Sequence, residues 1–257
     1  MTKPELLSPA GDLERLKVAY TYGADAVYMA GKTLGMRAKA RNFEMEEMSE
    51  GIRHAHALGK KVYITANIIA RNEDFTGIEE YFQELEKIKP DALIISDLGI
   101  FELARKTLPN TEIHISTQAN STNYASVNFW HKLGASRVIL ARELSIQEIA
   151  EIHKKVPIIE LETFIHGAMC MAYSGRCLIS NYMNNRDANR GGCSQPCRWN
   201  YALVEEKSGE LMPVYEDETG AYIFYSKDLC MIQHIPELVN AGIKLGYNIA
   251  VYAKIRD

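Results

Sequence analysis

The residues best suited to chemistry in this chain are its cysteines, and most of them lie in one stretch. Four of the five fall between Glu162 and Cys197. The five thiols belong to Cys170, Cys177, Cys193, Cys197 and Cys230. Cysteines clustered in this way are usually disulfides, metal ligands, redox couples or buried small apolar residues.

The spacing of the thiols separates these alternatives. Residues Met1 to Glu5 lead directly into a strand pattern and not into a secretory signal segment, so we do not expect disulfides. Structural zinc pairs its thiolates two to four residues apart, and only Cys193 and Cys197 have such spacing. An iron-sulfur cluster accepts ligands from well-separated loops. The residues therefore favour iron-sulfur over zinc, and inert core cysteines remain an alternative.

Two carboxylates and a histidine precede the cysteines. Glu160 and Glu162 are two apart on one predicted strand, so their side chains share a face. They could act as an acid/base pair, or they could form ion pairs with Arg142. His166 could bind a metal or donate a proton, but a histidine beside glycine is more often a hydrogen-bonded structural residue.

Arginine is abundant around the thiols and near the second predicted strand. The residues concerned are Arg176, Arg186, Arg190, Arg198, Arg37 and Arg41. Guanidinium groups suit phosphates and carboxylates, but a cluster of arginines can equally be a set of surface ion pairs. The net charge of the 257-residue chain is -4, so any polyanion must be held by a local patch.

The elements that must position these residues follow a regular alternation of short β-branched runs and helical segments. The predicted strands are Leu6–Ser8, Ala26–Ala30, Lys61–Asn67, Ala92–Ser96, Glu112–Thr117, Arg137–Ala141 and Ile158–Phe164. The first predicted helices are Leu13–Tyr22 with Asp12 as its cap, Glu44–Leu58 and Phe75–Ile88. Three similar joints lead from helix to strand and begin at Gly23, Lys89 and Gly134.

Seven such units without a Gly-x-Gly-x-x-Gly turn favour an α/β fold of the TIM-like (β/α) barrel type over a dinucleotide-binding sheet. An eighth strand is then expected near Gly246 to Ala253. We predict that residues 1–165 and about 231–257 form the barrel, and that residues 166–230 form a Cys-rich, cluster-binding lobe inserted after strand seven. At 47% hydrophobic and 24% charged residues the chain is ordinary globular material, with no apolar run long enough to cross a membrane.

Barrel chemistry occurs where strands end and loops begin. Polar residues occupy nearly all of these positions, and the sequence therefore predicts a polar pocket beneath the cysteine segment. The residues are Ser8, Thr65, Asn67, Ser96, Asp97, Ser116, Gln118, Arg142, Glu143 and His166. For Asp97 and for Ser145, helix capping is the simpler interpretation.

Several motifs together resemble the collagenase-like peptidase family U32, over about residues 4 to 243. They are Glu162-x-Phe-x-x-Gly-Ala-Met-Cys170, Ser174-Gly-Arg-Cys177-Leu-Ile-Ser180, Ser116-Thr-Gln118, Leu140-Ala-Arg-Glu-Leu-Ser145, Cys193-Ser-Gln-Pro-Cys-Arg198 and Ser226-Lys-Asp-Leu-Cys-Met231. The nearest branch is the one that acts in tRNA hydroxylation. After Ile243 the sequence departs from the family pattern, and we expect a truncated or altered C-terminal part.

The resemblance to this family implies a cofactor, a hydroxyl donor and a substrate, which the residues alone do not identify. Members in RNA and ubiquinone hydroxylation are iron-sulfur proteins that work without dioxygen, with prephenate implicated as hydroxyl donor. Carried over, the 4Fe-4S ligands are Cys170, Cys177, Cys193 and Cys230, with Cys197 as the alternative fourth ligand. The implied partners are tRNA, modified to 5-hydroxyuridine at the wobble position, and the iron-sulfur assembly machinery. The implied location is cytoplasmic, with no membrane partner.

Within that function, we expect Glu162 or His166 to move protons. Arg142, Arg37 or Arg176 would hold a carboxylate or phosphate, and Gln118 and Asn67 would also bind substrate. Two other hypotheses remain. One is a hydrolase in which Asp97 and Glu162 act as paired carboxylates, and the other is a non-catalytic accessory subunit.

Overall fold

A ring of eight parallel strands forms the centre of the computed structural model, which describes residues 4–36, 42–168, 170, 172–199, 202–204, 206–213, 228–243 and 247–249. The ring strands are β1 (Leu6–Pro9), β2 (Ala26–Ala30), β3 (Lys61–Ala66), β4 (Ala92–Ile95), β5 (Glu112–Ile115), β6 (Arg137–Ile139), β7 (Glu160–Ala168) and, numbered with the strands that precede it, β11 (Tyr247–Ile249). Strand β11 pairs with both β7 and β1 and so closes the ring. The TIM-like barrel and its late eighth strand are confirmed.

Helices cover the outside of the ring because each buries an apolar stripe against it. They are α1 (Leu13–Thr21), α2 (Met45–Ala57), α3 (Ile78–Ile88), α4 (Leu98–Thr107), α5 (Tyr124–Leu133), α6 (Ile146–Lys155) and, after the lobe, α8 (Ile235–Asn240). In α3 the buried residues Ile78, Phe82 and Leu85 recur at helical spacing. Asp12 caps α1 as predicted, since its carboxylate accepts the Arg15 N–H at 2.8 Å.

Helix α3 begins later than the apolar pattern predicts. The stretch Asn72–Phe75 forms a separate 3₁₀ turn, and Gly77, with φ of 79°, separates it from the helix. A left-handed residue cannot continue a right-handed helix, so the single predicted helix from Phe75 is wrong at its start.

The repeated helix-to-strand joint has a physical basis. Its first residue, Gly23, Lys89 or Gly134, lies in the left-handed region that terminates helices, with φ of 98°, 55° and 99°. Its third residue carries a polar side chain that hydrogen-bonds the backbone of the preceding strand and so fixes the register between the two strands. These bonds are Leu6 N–H to Asp25 at 3.0 Å, Val62 N–H to Asp91 at 2.7 Å, and Ser136 Oγ to the Ile113 carbonyl at 3.3 Å.

After β7 the chain leaves the barrel and forms the lobe. Its described elements are α7 (Ile179–Asn184), 3₁₀ turns at Ala188–Arg190 and Pro196–Arg198, a hairpin of β8 (Ala202–Val204) and β9 (Leu211–Pro213), and β10 (Asp228–Cys230). Strand β10 runs antiparallel to the end of β7. This pairing extends β7 to Ala168, four residues beyond its predicted end. Over the described part of the chain, no helix is long and apolar enough to span a membrane.

Candidate functional site

The lobe lies over the mouth of the barrel, where the parallel strands end. On one side, two arginine–aspartate pairs join it to the loop after β3, and we call them the clasp. Arg71 of the loop contacts Asp187 of the lobe at 2.9 Å, and Arg190 of the lobe contacts Asp74 of the loop at 2.6 Å. Because each segment supplies one cation and one anion, the two pairs fix the segments against each other.

On the other side, the turn that precedes Cys177 is docked on the loops after β5 and β6. The Glu143 carboxylate accepts the Ser174 N–H at 2.9 Å, and the Asn120 amide donates to the Ser174 carbonyl at 3.1 Å. Gly175 follows with φ of 72°, and a Cβ there would lie 2.1 Å from the Gln118 carbonyl oxygen. Only glycine fits this approach, so the barrel backbone itself sets the position of the turn.

Two thiol-bearing residues make direct contacts in this arrangement. The Arg142 guanidinium donates to the Cys170 sulfur at 3.4 Å and lies 5.2 Å from the centroid of the Phe164 ring. The Cys177 carbonyl accepts a hydrogen bond from the Asn189 amide at 2.9 Å, within the segment that carries the clasp. Hydrogen bonds therefore hold Cys170 against a barrel residue and Cys177 against a lobe residue.

Burial and neighbouring thiols shift the ionisation of two cysteines, Cys193 and Cys197. Burial raises the pKa of the Cys193 thiol, and the nearby Cys177 and Cys170 raise it further, while the Gln195 N–H donates to its sulfur at 3.4 Å. Burial likewise raises the pKa of Cys197, with Cys170, Cys193 and Cys177 contributing. Cys193 and Cys197 lie in one short segment, which Ser194 joins by hydrogen bonds to α7, the helix that follows Cys177.

The fifth thiol, that of Cys230, lies on a different element, the strand that pairs with the end of β7. Cys230 is exposed on β10, where its Cα is the cross-strand partner of His166, itself exposed near the end of β7. Among the described residues, no three His, Cys, Asp or Glu side chains are grouped to hold a single metal ion. A cubane is larger and binds each thiolate at a different iron, so a donor set of neighbouring thiols fits it better than it fits one ion.

Three of the polar residues expected at the mouth, Asn67, Ser96 and Ser116, are joined by hydrogen bonds. The Asn67 amide nitrogen donates to Ser116 Oγ at 3.3 Å, and its oxygen accepts the Met36 N–H at 3.3 Å. Ser96 Oγ donates to the Asn67 carbonyl at 2.9 Å. Asn67 thus joins the loops after β2, β3, β4 and β5.

The remaining candidates for substrate binding differ in their placement. Gln118 is half-buried beside Gly175, and Arg176 is exposed on the lobe. Arg37 and Arg41 lie outside the described residues.

Asp97 and Ser145 are helix caps, as the simpler interpretation predicted. Asp97 accepts the N–H groups of Gly99 and Ile100 at 2.8 and 3.1 Å, and Ser145 accepts that of Glu148 at 3.3 Å. The Asp97 carboxylate is therefore engaged by the start of α4.

Glu162 lies inside the barrel and is fully buried, with its carboxylate 3.3 Å from the Arg137 guanidinium. Arg137 also contacts Glu5 and Glu160, each at 2.9 Å. We call this group the interior network. Glu160 and Glu162 therefore both pair with Arg137, whereas the partner considered from the sequence was Arg142. Glu5 and Glu160 lie at the strand starts, so the network occupies the end of the barrel opposite the mouth.

The interior network holds three carboxylates around one guanidinium, and their ionisation differs. Burial raises the pKa of Glu162 to about 7, against the opposing effect of Arg137. Burial disfavours the charge on Glu5 too, but Arg137 and a hydrogen bond from Tyr63 hold the pKa of Glu5 below its ordinary value. One oxygen of Glu162 has no hydrogen-bond partner in the described structure. The most deeply buried carboxyl group is therefore the one whose pKa is raised.

Comparison with known proteins identifies the family to which the chain is similar. Residues 11–245 match peptidase family U32. The chain is 47% identical to tRNA hydroxylation protein P1 of Bacillus subtilis, over 94% of this chain and 57% of that protein. It is 36% identical to the 23S rRNA 5-hydroxycytidine C2501 synthase of Escherichia coli, over 93% of this chain and 34% of that protein.

The fold comparison agrees. The U32 peptidase Mk0906 matches with a TM-score of 0.63 at 14% identity, covering 97% of this chain and 94% of that one. The chain spans less than two thirds of the length of the two curated relatives named above. The extent of the sequence match nevertheless makes the assignment plain: the chain belongs to peptidase family U32.

Proposed function

We propose that this chain is the barrel part of an RNA hydroxylase that works without dioxygen and carries a 4Fe-4S cluster at the barrel mouth. The observation that carries the proposal is the placement of the cysteines: Cys170 contacts Arg142 at the mouth, hydrogen bonds join the segments that carry Cys177, Cys193 and Cys197, and Cys230 lies on the strand that adjoins β7. The relatives named for tRNA hydroxylation and for an rRNA 5-hydroxycytidine synthase support RNA as the substrate.

The finer proposal is formation of 5-hydroxyuridine at the tRNA wobble position, with prephenate as the hydroxyl donor. A bound cluster would supply electron transfer or a Lewis-acidic iron. Cys170, Cys177 and Cys193 would hold it, with either Cys230 or Cys197 as the fourth ligand. Because tRNA is the proposed substrate and iron-sulfur assembly proteins the proposed suppliers of the cluster, we also propose a cytoplasmic location.

The chain's own residues have separate roles in this proposal. Arg142 touches the Cys170 sulfur and can also meet a carboxylate or phosphate that enters beside it. Arg176 is exposed on the lobe and offers a second cation, and Asn67 and Gln118 line the mouth. His166, exposed near the end of β7, is better placed to move a proton than Glu162, which lies within the interior network.

The test is anaerobic purification followed by iron and sulfide analysis of the wild type and of single Cys→Ser variants. We expect about four irons in the wild type and a severe loss in the variants of Cys170, Cys177 and Cys193. Comparing Cys197→Ser with Cys230→Ser identifies the fourth ligand. A colourless protein that hydroxylates RNA without iron would refute the proposal.

Restoration of wobble hydroxylation in a deletion strain tests the RNA part. The cysteine variants serve as matched controls there. A peptidase is the alternative that the family name raises, and cleavage of a denatured collagen substrate by the iron-free protein would favour it.

A further inference from the structure

The described segment of the lobe from residue 172 to residue 199 exposes its aromatic residues. All three aromatics between residues 172 and 199 are on the surface, with exposed fractions of 62% for Tyr173, 87% for Tyr182 and 46% for Trp199. Leu178, which is 70% exposed, precedes Tyr182 by four residues at the start of α7, so the two side chains are neighbours. Scattered exposed aromatics are ordinary on protein surfaces, but a concentration of them in one short segment indicates a binding surface.

The orientation of α7 explains why these side chains face outward. Ser180 and Asn184, one turn apart, both hydrogen-bond Ser194, at 3.0 and 2.7 Å. That face of the helix is therefore held against the segment that carries Cys193. Leu178 and Tyr182 lie on a different face of the helix and remain exposed.

The segment that carries these residues is rich in arginine. Between His166 and Trp199 the sequence has four arginines and one aspartate, with no lysine or glutamate, in a chain whose net charge is -4. Arg176 and Arg198 are both exposed, beside Tyr173 and Trp199 respectively. Aromatic rings interleaved with guanidinium groups are the composition that binds nucleic acid bases and phosphates together.

We infer that Tyr173, Arg176, Leu178, Tyr182, Arg198 and Trp199, which we call the aromatic face, bind an unpaired loop of RNA by stacking its bases. This inference rests on the proposed function and specifies how the substrate is recognised. The ring faces require bases that are not already stacked in a duplex, so a single-stranded loop fits and a double helix does not. Because Tyr173 and Arg176 flank the turn docked on the barrel, a loop on this face lies beside the mouth.

Fluorescence anisotropy with a labelled RNA hairpin, and with a blunt duplex of the same stem, tests the inference on the purified chain. We expect Tyr182→Ala and Trp199→Ala each to weaken hairpin binding about fivefold or more, and Tyr182→Phe to bind as the wild type. Arg176→Gln should lower the slope of log affinity against log salt by about 0.7. Tyr22→Ala is the matched control, since Tyr22 is 85% exposed at the end of α1, far from the mouth.

Equal binding of the duplex, or unchanged hairpin binding by the alanine variants, would overturn the inference. It would also be overturned if light scattering showed that the alanine substitutions dissociate an oligomer of the chain while the affinity for RNA stays unchanged. Hydroxylation and iron content of the same preparations separate the two proposals. If the wild type binds the hairpin but contains no iron and hydroxylates no RNA, the proposed function is refuted while the RNA-binding role of the aromatic face is supported. If the alanine variants hydroxylate RNA fully and bind it with unchanged affinity, only the role of the aromatic face is refuted.

Discussion

The two ends of the barrel are built on different principles. The end where the strands start is closed by the interior network, in which Arg137 is 1% exposed and Glu162 fully buried. The mouth is covered by the lobe, which is held by hydrogen bonds and partly exposed ion pairs and which presents exposed thiols. In TIM-like barrels the first end serves stability and the second serves chemistry.

The difference shows where each kind of polar group can be tolerated. Buried charges at the closed end are paired, because an unpaired buried charge costs several kcal/mol. At the mouth, water and ligands can satisfy polar groups, so arginine, cysteine and histidine side chains need not be paired with one another. Four predictions test this contrast.

The largest expected effect is at the docked turn. Gly175→Ala places a Cβ against the Gln118 carbonyl, so we expect the lobe to shift and nearly all bound iron and sulfide to be lost. Gly209→Ala is the control, because Gly209 has a φ of 71° but nothing lies within 4 Å of the position that a Cβ would take there. Circular dichroism should show an intact barrel in both variants. Equal iron content in the two would show that the docked turn does not position the thiols.

At the closed end, Arg137→Met leaves Glu162 without its cation and leaves Glu5 with only Lys61, at 3.7 Å. We expect the free energy of unfolding in urea to fall by about 3–5 kcal/mol. Arg15→Met removes an exposed pair with Asp12 and should cost no more than about 1 kcal/mol. A loss of similar size in both variants would contradict the contrast between the ends.

Glu162 should make stability depend on pH. Its folded-state pKa of about 7 lies above the ordinary 4.5, so the folded protein retains a proton that the unfolded chain releases. Stability should therefore fall as pH rises from about 5 to 7, by on the order of 2 kcal/mol in all. Glu162→Gln, which resembles the neutral acid, should flatten this decline in urea titrations at pH 5, 6, 7 and 8. An unchanged slope would show that Glu162 is ionised throughout.

The smallest effect is expected at the clasp. Arg71 is more than half exposed, so the Arg71–Asp187 pair should contribute only about 0.2–1 kcal/mol. A thermal double-mutant cycle with Arg71→Ala and Asp187→Ala measures it, and the coupling should shrink in high salt. A coupling above about 2 kcal/mol that is insensitive to salt would mean that the clasp resembles the closed end.

The sequence predicted the barrel well because its signals are local. Strand and helix periods, the Asp12 cap and the joints at Gly23, Lys89 and Gly134 each involve a few neighbouring residues. The length of β7 was missed, since its last residues are extended by pairing with β10, whose residues lie 60 to 64 positions later in the sequence. A distant partner leaves no local pattern.

The interior network was missed for the same reason. Arg137 and Glu5 are 132 residues apart, and neither was singled out. A signal was nevertheless present in the sequence. Arg137 begins an apolar strand and Glu5 directly precedes another apolar strand, and charged side chains buried inside a barrel need partners. The polar mouth was predictable because barrel topology brings all strand ends together, whatever their separation in sequence.

The position of β11 has a consequence for synthesis on the ribosome. Residues 247–249 insert between β7 and β1, so both of these strands keep an open edge until the entire lobe has emerged. Unpaired strand edges are sites of aggregation. During that interval the nascent chain exposes unpaired strand edges, and the ring cannot close before residues 247–249 are available.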